Sequence, residues 1–207
     1  MTTLANLETY LARDLRDTTN AVFSTAELDD LINQGISALA SFYPKQIVQT
    51  IGTVSSGTYS YSASSFTRIY RIDIYSSTGS YKSTLDGYIG GSPNTGWEMH
   101  GGIVYLPPLV TFTAGDTLRA FGYGAYIQLS ASTATTDLDA DGIWAVRVYA
   151  QVEAFERLLA DRVTFQQWQA SPGNTDVTAM ALASLARSAR ARWLEEQQRL
   201  RRLRKVG

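Results

Sequence analysis

The chain has no cysteine and only one histidine, His100. The first absence removes disulfides, thiolate chemistry and every cysteine-based zinc site, and the second leaves too little imidazole for a His-rich metal centre. No resident metal or cofactor is expected. No run of about 18 apolar residues exists to cross a bilayer, and residues 1–17, MTTLANLETYLARDLRD, carry acids and no continuous apolar centre of the kind a secretory signal needs. The expectation is a soluble chain made in a cytoplasm, with no membrane among its partners. Motifs of catalysis are missing as well: there is no G-x-x-x-x-G-K-[ST] nucleotide loop, no H-E-x-x-H pair and no G-x-S-x-G elbow. An enzyme is not expected.

What is present suits one domain, or a domain with a large insertion: 207 residues, 44% of them hydrophobic, enough for a buried core. The net charge of −1 conceals an asymmetry. Residues 187–205 hold eight basic side chains against Glu195 and Glu196, a net of +6, which leaves −7 on the rest. One end of the chain is suited to an acidic partner.

Three blocks follow one another. In residues 1–45, Leu4, Leu7, Leu11 and Leu15 recur at helical spacing, with Tyr10 beside them and Arg13, Asp14 and Arg16 opposite. A second helix opens on Ser24-Thr25-Ala26-Glu27, a capping box, and carries Leu28, Leu31, Ile32, Ile36 and Leu39 toward Pro44. Residues 46–130 hold twelve of the sixteen glycines and nine of the twelve tyrosines but eight charged residues, and their apolar positions alternate with period two. This predicts a β-rich insertion, an antiparallel sheet or partial barrel. Phe66, Tyr70, Ile72 and Ile74 are expected on one strand face, and Phe121, Tyr123, Ile127 and Leu129 on another, with Gly122 and Gly124 on the reverse face where a second backbone could approach. Residues 90–96, GGSPNTG, are the expected mobile tip. In residues 131–207, Trp144, Val148, Val152, Phe155, Leu159 and Val163 step by three or four and predict one long buried stripe. After Ser171-Pro172-Gly173-Asn174, a last helix is expected from near Thr175, antiparallel to the one before it, with alanines allowing close approach and Leu182, Leu185 and Trp193 providing grip. The fold class is therefore α+β, mainly α: a helical bundle from both chain ends with a β-rich insertion. Its expected core includes Leu11, Leu28, Ile32, Trp144, Val148, Val152, Phe155, Leu159, Leu185 and Trp193.

Four features could carry chemistry. Residues 136–142, TDLDADG, offer three alternate carboxylates and a glycine, as a calcium loop does; but counting from Asp137 the twelfth position is Val148 and the ninth Ala145, so the charge that completes such a shell is missing. The alternative is that Asp139 caps a helix with Asp141 in its first turn. His100 stands two residues after Glu98, which strand alternation explains without a catalytic base. Glu153 and Glu156 form a carboxylate pair, but Arg157 lies four residues after Glu153 and suggests an ion pair instead. The tail, residues 197–205, QQRLRRLRK, could follow phosphates, dock in a protein groove through the Leu200 and Leu203 edge, or be a solvated helix end. It lacks the aromatics that stack bases, and its apolar edge favours protein docking. A nucleic-acid-binding module using this helix remains an alternative reading. So does a virion attachment or carbohydrate-binding protein using the tyrosine-rich insertion.

The opening resembles the head-to-tail adaptor (connector) proteins of tailed bacteriophages. The resemblance lies in a leucine helix ending in Arg13-Asp14-Leu15-Arg16-Asp17, in Phe23-Ser24-Thr25-Ala26-Glu27-Leu28, in Ile32-Asn33-Gln34-Gly35 and in Pro44 before the β block. The order of blocks is similar over almost the whole chain. The resemblance implies a ring, usually of twelve copies, in the neck of a virion assembled in the host cytoplasm. Such a ring sits between the portal protein and the tail or next neck component, and genomic DNA passes through its channel without sequence-specific binding. Carried to this chain, Arg199, Leu200, Arg201, Arg202, Leu203, Arg204 and Lys205 are the expected portal-docking residues.

Overall fold

In the computed structural model, residues 2–85, 87, 96–106 and 112–205 are described, and among them five helices and seven strands form the regular structure. The expected tip at residues 90–96 lies outside them, apart from Gly96. Residues 1–43 and 126–207 make one unit and residues 44–125 another.

In the helical unit, α1 (Leu4–Asp14) starts at Thr3, whose hydroxyl accepts from the Asn6 amide, and buries Leu4, Leu7 and Leu11. Just beyond it Arg16 takes φ 55°, and the buried Asp17 carboxylate accepts the amides of Ala21, Val22 and Phe23 at 2.9, 3.1 and 2.8 Å. One side chain thus satisfies three backbone donors that the reversal would leave bare. The second helix, α2 (Thr25–Ala40), forms the capping box: the Ser24 amide donates to Glu27 at 2.8 Å and the Glu27 amide to the Ser24 hydroxyl at 3.3 Å. Those bonds hold the Glu27 carboxyl below its ordinary value, the Ser24 hydroxyl contributing most. At Gly35 an added Cβ would lie 3.0 Å from the Val146 carbonyl oxygen, so a glycine lets α2 lie close to the next helix.

That next helix, α3 (Ala140–Ala160), touches α1, α2 and α5 (Ala179–Lys205). It buries Ala145, Val146, Val148, Ala150, Val152, Ala154, Phe155 and Leu158, which face nearly every direction around its axis. The expectation of a single buried stripe is corrected accordingly. Val148, Val152 and Phe155 are core, but Trp144 is 38% and Leu159 45% exposed, because they lie in the end turns, beyond full cover by the neighbours. Val163 is 63% exposed and belongs to a different helix. Asp161, extended at φ −118° and ψ 110°, ends α3 and caps α4 (Arg162–Ala170) by accepting from the Val163 amide. The last helix starts at Ala179, four residues later than the sequence suggested, with the Thr178 hydroxyl accepting from Ala181. Trp168 of α4 donates its indole N–H to the Leu15 carbonyl at 2.8 Å, and the Asn174 amide donates to the carbonyls of Arg16 and Trp168 at 3.0 and 3.2 Å. These bonds fix the loops at one end of the bundle. Elsewhere the Asn33 amide clamps Leu129, donating to its carbonyl and accepting from its N–H, both at 2.9 Å. The Tyr126 hydroxyl donates to the Tyr43 carbonyl at 2.8 Å, so the points where the chain leaves and re-enters the helical unit are tied together.

The other unit holds two antiparallel sheets. One is ordered β1 (Lys45–Thr53), β7 (Thr117–Gly124), β3 (Arg68–Tyr75), β4 (Tyr81–Leu85). The other is β2 (Ser60–Ser62), β6 (Ile103–Tyr105), β5 (Glu98–His100). Ile69, Ile72, Ile74, Val104, Leu118 and Trp97 lie in their shared core. Two strand faces differ from expectation. A register shift between Ile69 and Arg71 reverses the alternation in β3, so Ile69 is buried and Tyr70 is 50% exposed. On β7 it is Leu118, Ala120, Gly122 and Gly124 that face the core, while Phe121 and Tyr123 are half-buried on the other side. A Cβ on Gly122 would sit 2.2 Å from the Arg68 carbonyl, and one on Gly124 would sit 2.5 Å from the Ser65 carbonyl, so the close backbone approach expected there is present.

Candidate functional site at the end of the last helix

Helix α5 runs 27 residues, roughly 40 Å at 1.5 Å per residue, and its attachment decides how much of it can serve a partner. Leu182, Ala186, Ala189, Trp193 and Leu200 are buried in the bundle core, and Leu185 is half-buried against it. The Trp193 ring packs edge-on between Phe42 and Tyr149, with centroids 5.4 and 5.0 Å away. The remaining expected core residues, Leu11, Leu28 and Ile32, are fully buried.

The basic arm is not uniform. Leu200 is 0% exposed, so the apolar edge expected from Leu200 and Leu203 is corrected: Leu200 packs inward and only Leu203, 50% exposed, faces out. The two stand three residues apart, about 300° around the axis, and the bundle covers only one of them. Arg199 is also held internally, its guanidinium 2.9 Å from Asp141 of α3 and 2.8 Å from Glu196. Those carboxylates, Asp141 first, raise its already high pKa. Arg190 pairs with Glu156 at 3.2 Å, and Arg201 lies over the Phe42 ring at 5.7 Å. Arg201, Arg202 and Leu203 are exposed, and the helix continues through Arg204 to Lys205.

The other candidates resolve into structural roles. In the acidic stretch the three carboxylates diverge: Asp137 accepts from the Ile127 amide at 3.4 Å, Asp139 caps α3 through the Gly142 amide at 2.7 Å, and Asp141 meets Arg199. The capping reading therefore holds, and the described residues contain no metal-ligating cluster of three. His100 and Glu98 form an exposed pair at 2.9 Å on β5. The expected Glu153–Arg157 pair gives way to Glu156 with Arg190, while Glu153 faces the Tyr149 hydroxyl, whose pKa is raised first by burial and then by that contact.

Sequence reasoning missed a cavity of about 200 Å³ in the helical unit, between α3, α4, α5 and the end of α1, lined by Trp144, Gln151, Phe155, Trp168 and Arg192 among others. Gln151 is 5% exposed. A glutamine between Ala150 and Val152, on a helix that buries most of its length, was the available signal.

A comparison with curated proteins gives no match. The profile of the family described as SU10 adaptor protein matches residues 2–204, which spans all five helices' cores, both sheets and the exposed cations Arg201 and Arg202. On that match over nearly its whole length, the chain belongs to the SU10 adaptor protein family and is a structural adaptor of a bacteriophage virion.

Proposed function

We propose that this adaptor is a head-to-tail connector: a ring of about twelve copies seated between the portal and the next component of the tail. It leaves a central channel for the genome and performs no chemical step. The observation that carries this reading is the split along α5, where Leu200 and Arg199 are anchored in the bundle while Arg201, Arg202 and Leu203 are exposed, Arg201 lying over the Phe42 ring. A helix held rigidly to its last turns and ending in exposed cations presents a pre-ordered contact, which lowers the entropy lost on docking. Its occupant is an acidic crevice of the portal, with Leu203 as the apolar contact.

The test is deletion of residues 201–207, which removes the exposed end and leaves Leu200 in the core. The truncated chain is expected to keep its melting temperature and to lose co-sedimentation with portal rings. Unchanged portal binding would overturn the assignment. Binding to DNA that weakens steeply with salt, in place of portal binding, would favour a nucleic-acid module.

A further inference from the structure

The cavity in the helical unit has apolar walls in Trp144, Phe155 and Trp168, a polar floor and a cationic rim. The polar group of that floor is Gln151, 5% exposed. At the rim, Arg16 and Arg192 are exposed and have no carboxylate partner among the described residues, while the nearby Asp14 is already held by Arg147 at 3.0 Å. An apolar side chain with a carboxylate beside it would complement the apolar walls and the cationic rim.

The chain carries such a pair. Leu194 is 52% exposed and is followed by the exposed Glu195, which has no partner among the described residues. Among the exposed large apolar side chains described in this unit, Leu194 alone has an acid next to it in sequence. Residues two apart on a helix are turned by about 200°, so Leu194 points nearly opposite to Arg192 of the socket. A head-to-tail contact joins two different surfaces of each copy, and Leu194 and Arg192 supply them on opposite sides of α5.

We propose that Leu194 and Glu195 of one copy enter the Trp144–Gln151–Arg192 socket of the next, making the head-to-tail contact that closes the ring. This rests on the ring reading above and names the surfaces that would form it. Leu194 fills the space between the indoles, and Glu195 meets Arg192 and Arg16.

The test uses charge reversal at two exposed helix positions, so the fold is not at risk. Arg192→Glu and Glu195→Arg each put like charges at the contact, and each is expected to weaken self-association about tenfold or more, alone or on portal rings. Mixed in equal amounts the two variants present opposite charges to each other, so light scattering should show assembly restored. Variants that each assemble as the parent does, or a mixture that does not recover, overturn this contact and leave the ring reading standing. A parent chain that stays monomeric both alone and with the portal overturns the ring reading, and this proposal with it.

Discussion

The Arg199 guanidinium lies 2.9 Å from the Asp141 carboxylate, joining the far end of α5 to the first turn of α3. One contact accounts for two features that look functional in the sequence, a cation of the basic arm and an acid of the calcium-like loop. Both side chains are two-fifths exposed or more, so the pair is worth about 0.2–1 kcal/mol. Arg199→Ala and Asp141→Asn should each destabilise by no more than about 1 kcal/mol, and the double variant by less than their sum, in urea titrations. Calcium should leave the melting temperature unchanged. A calcium-dependent rise would return the loop to a metal-binding role.

Leu200 marks where burial of α5 in the bundle ends. Leu200→Ala leaves a cavity in the core and should cost about 2–5 kcal/mol, whereas Leu203→Ala, three residues on, should cost about 0.5 kcal/mol or less. A truncation starting at residue 197 is expected to melt well below one starting at residue 201. Equal melting temperatures would contradict the burial of Leu200.

In the β unit, Gly122→Ala pushes a methyl to 2.2 Å from the Arg68 carbonyl, a backbone atom that cannot swing aside. The expected cost is at least about 2 kcal/mol, read by thermal melting. Gly57→Ala provides the control: its φ of 77° makes alanine strained, but open space surrounds it and the loss should be nearer 1 kcal/mol.

Glu8 of α1 and Asp29 of α2 set a pH dependence. Burial first, and then the neighbouring Asp29 carboxylate, which the protonated form can hydrogen-bond, raise the Glu8 carboxyl from 4.5 to about 7. Because the folded value is the higher one, the folded chain binds the proton more tightly than the unfolded chain. The stability this contributes is fully present below about pH 4.5 and is lost as pH rises through about 7. Glu8→Gln should flatten that decline and raise the melting temperature at pH 8 by roughly 2–4 °C, the effect of about 1 kcal/mol on a chain of this size. An unchanged pH profile would contradict the buried pair.

Local signals in the sequence were read correctly where the physics is local. Ser24 and Glu27 lie one turn apart and form the predicted box, and Asp139 caps the helix it precedes. Errors arose where distant residues decide burial. Trp144 and Leu159 share the helical spacing of Val148 and Phe155, yet only the surrounding helices determine which of them are covered. The break at Asp161 interrupts a pattern whose periodicity runs through it, and the register shift beside Tyr70 moves a whole strand face without any change in composition. The same holds at the candidate site: eight cations read as one arm in sequence, but Asp141 and Glu156, both on α3, engage two of them. Gln151 was legible as a polar residue, but its place in the wall of a cavity could be seen only with four helices in place around it.

The most direct test of the account is electron microscopy of the full chain incubated with its portal ring. The account predicts a second ring, coaxial with the portal, of about twelve copies with an open channel and the C-terminal ends of α5 against the portal. Portal rings that remain bare in the presence of excess chain would contradict it.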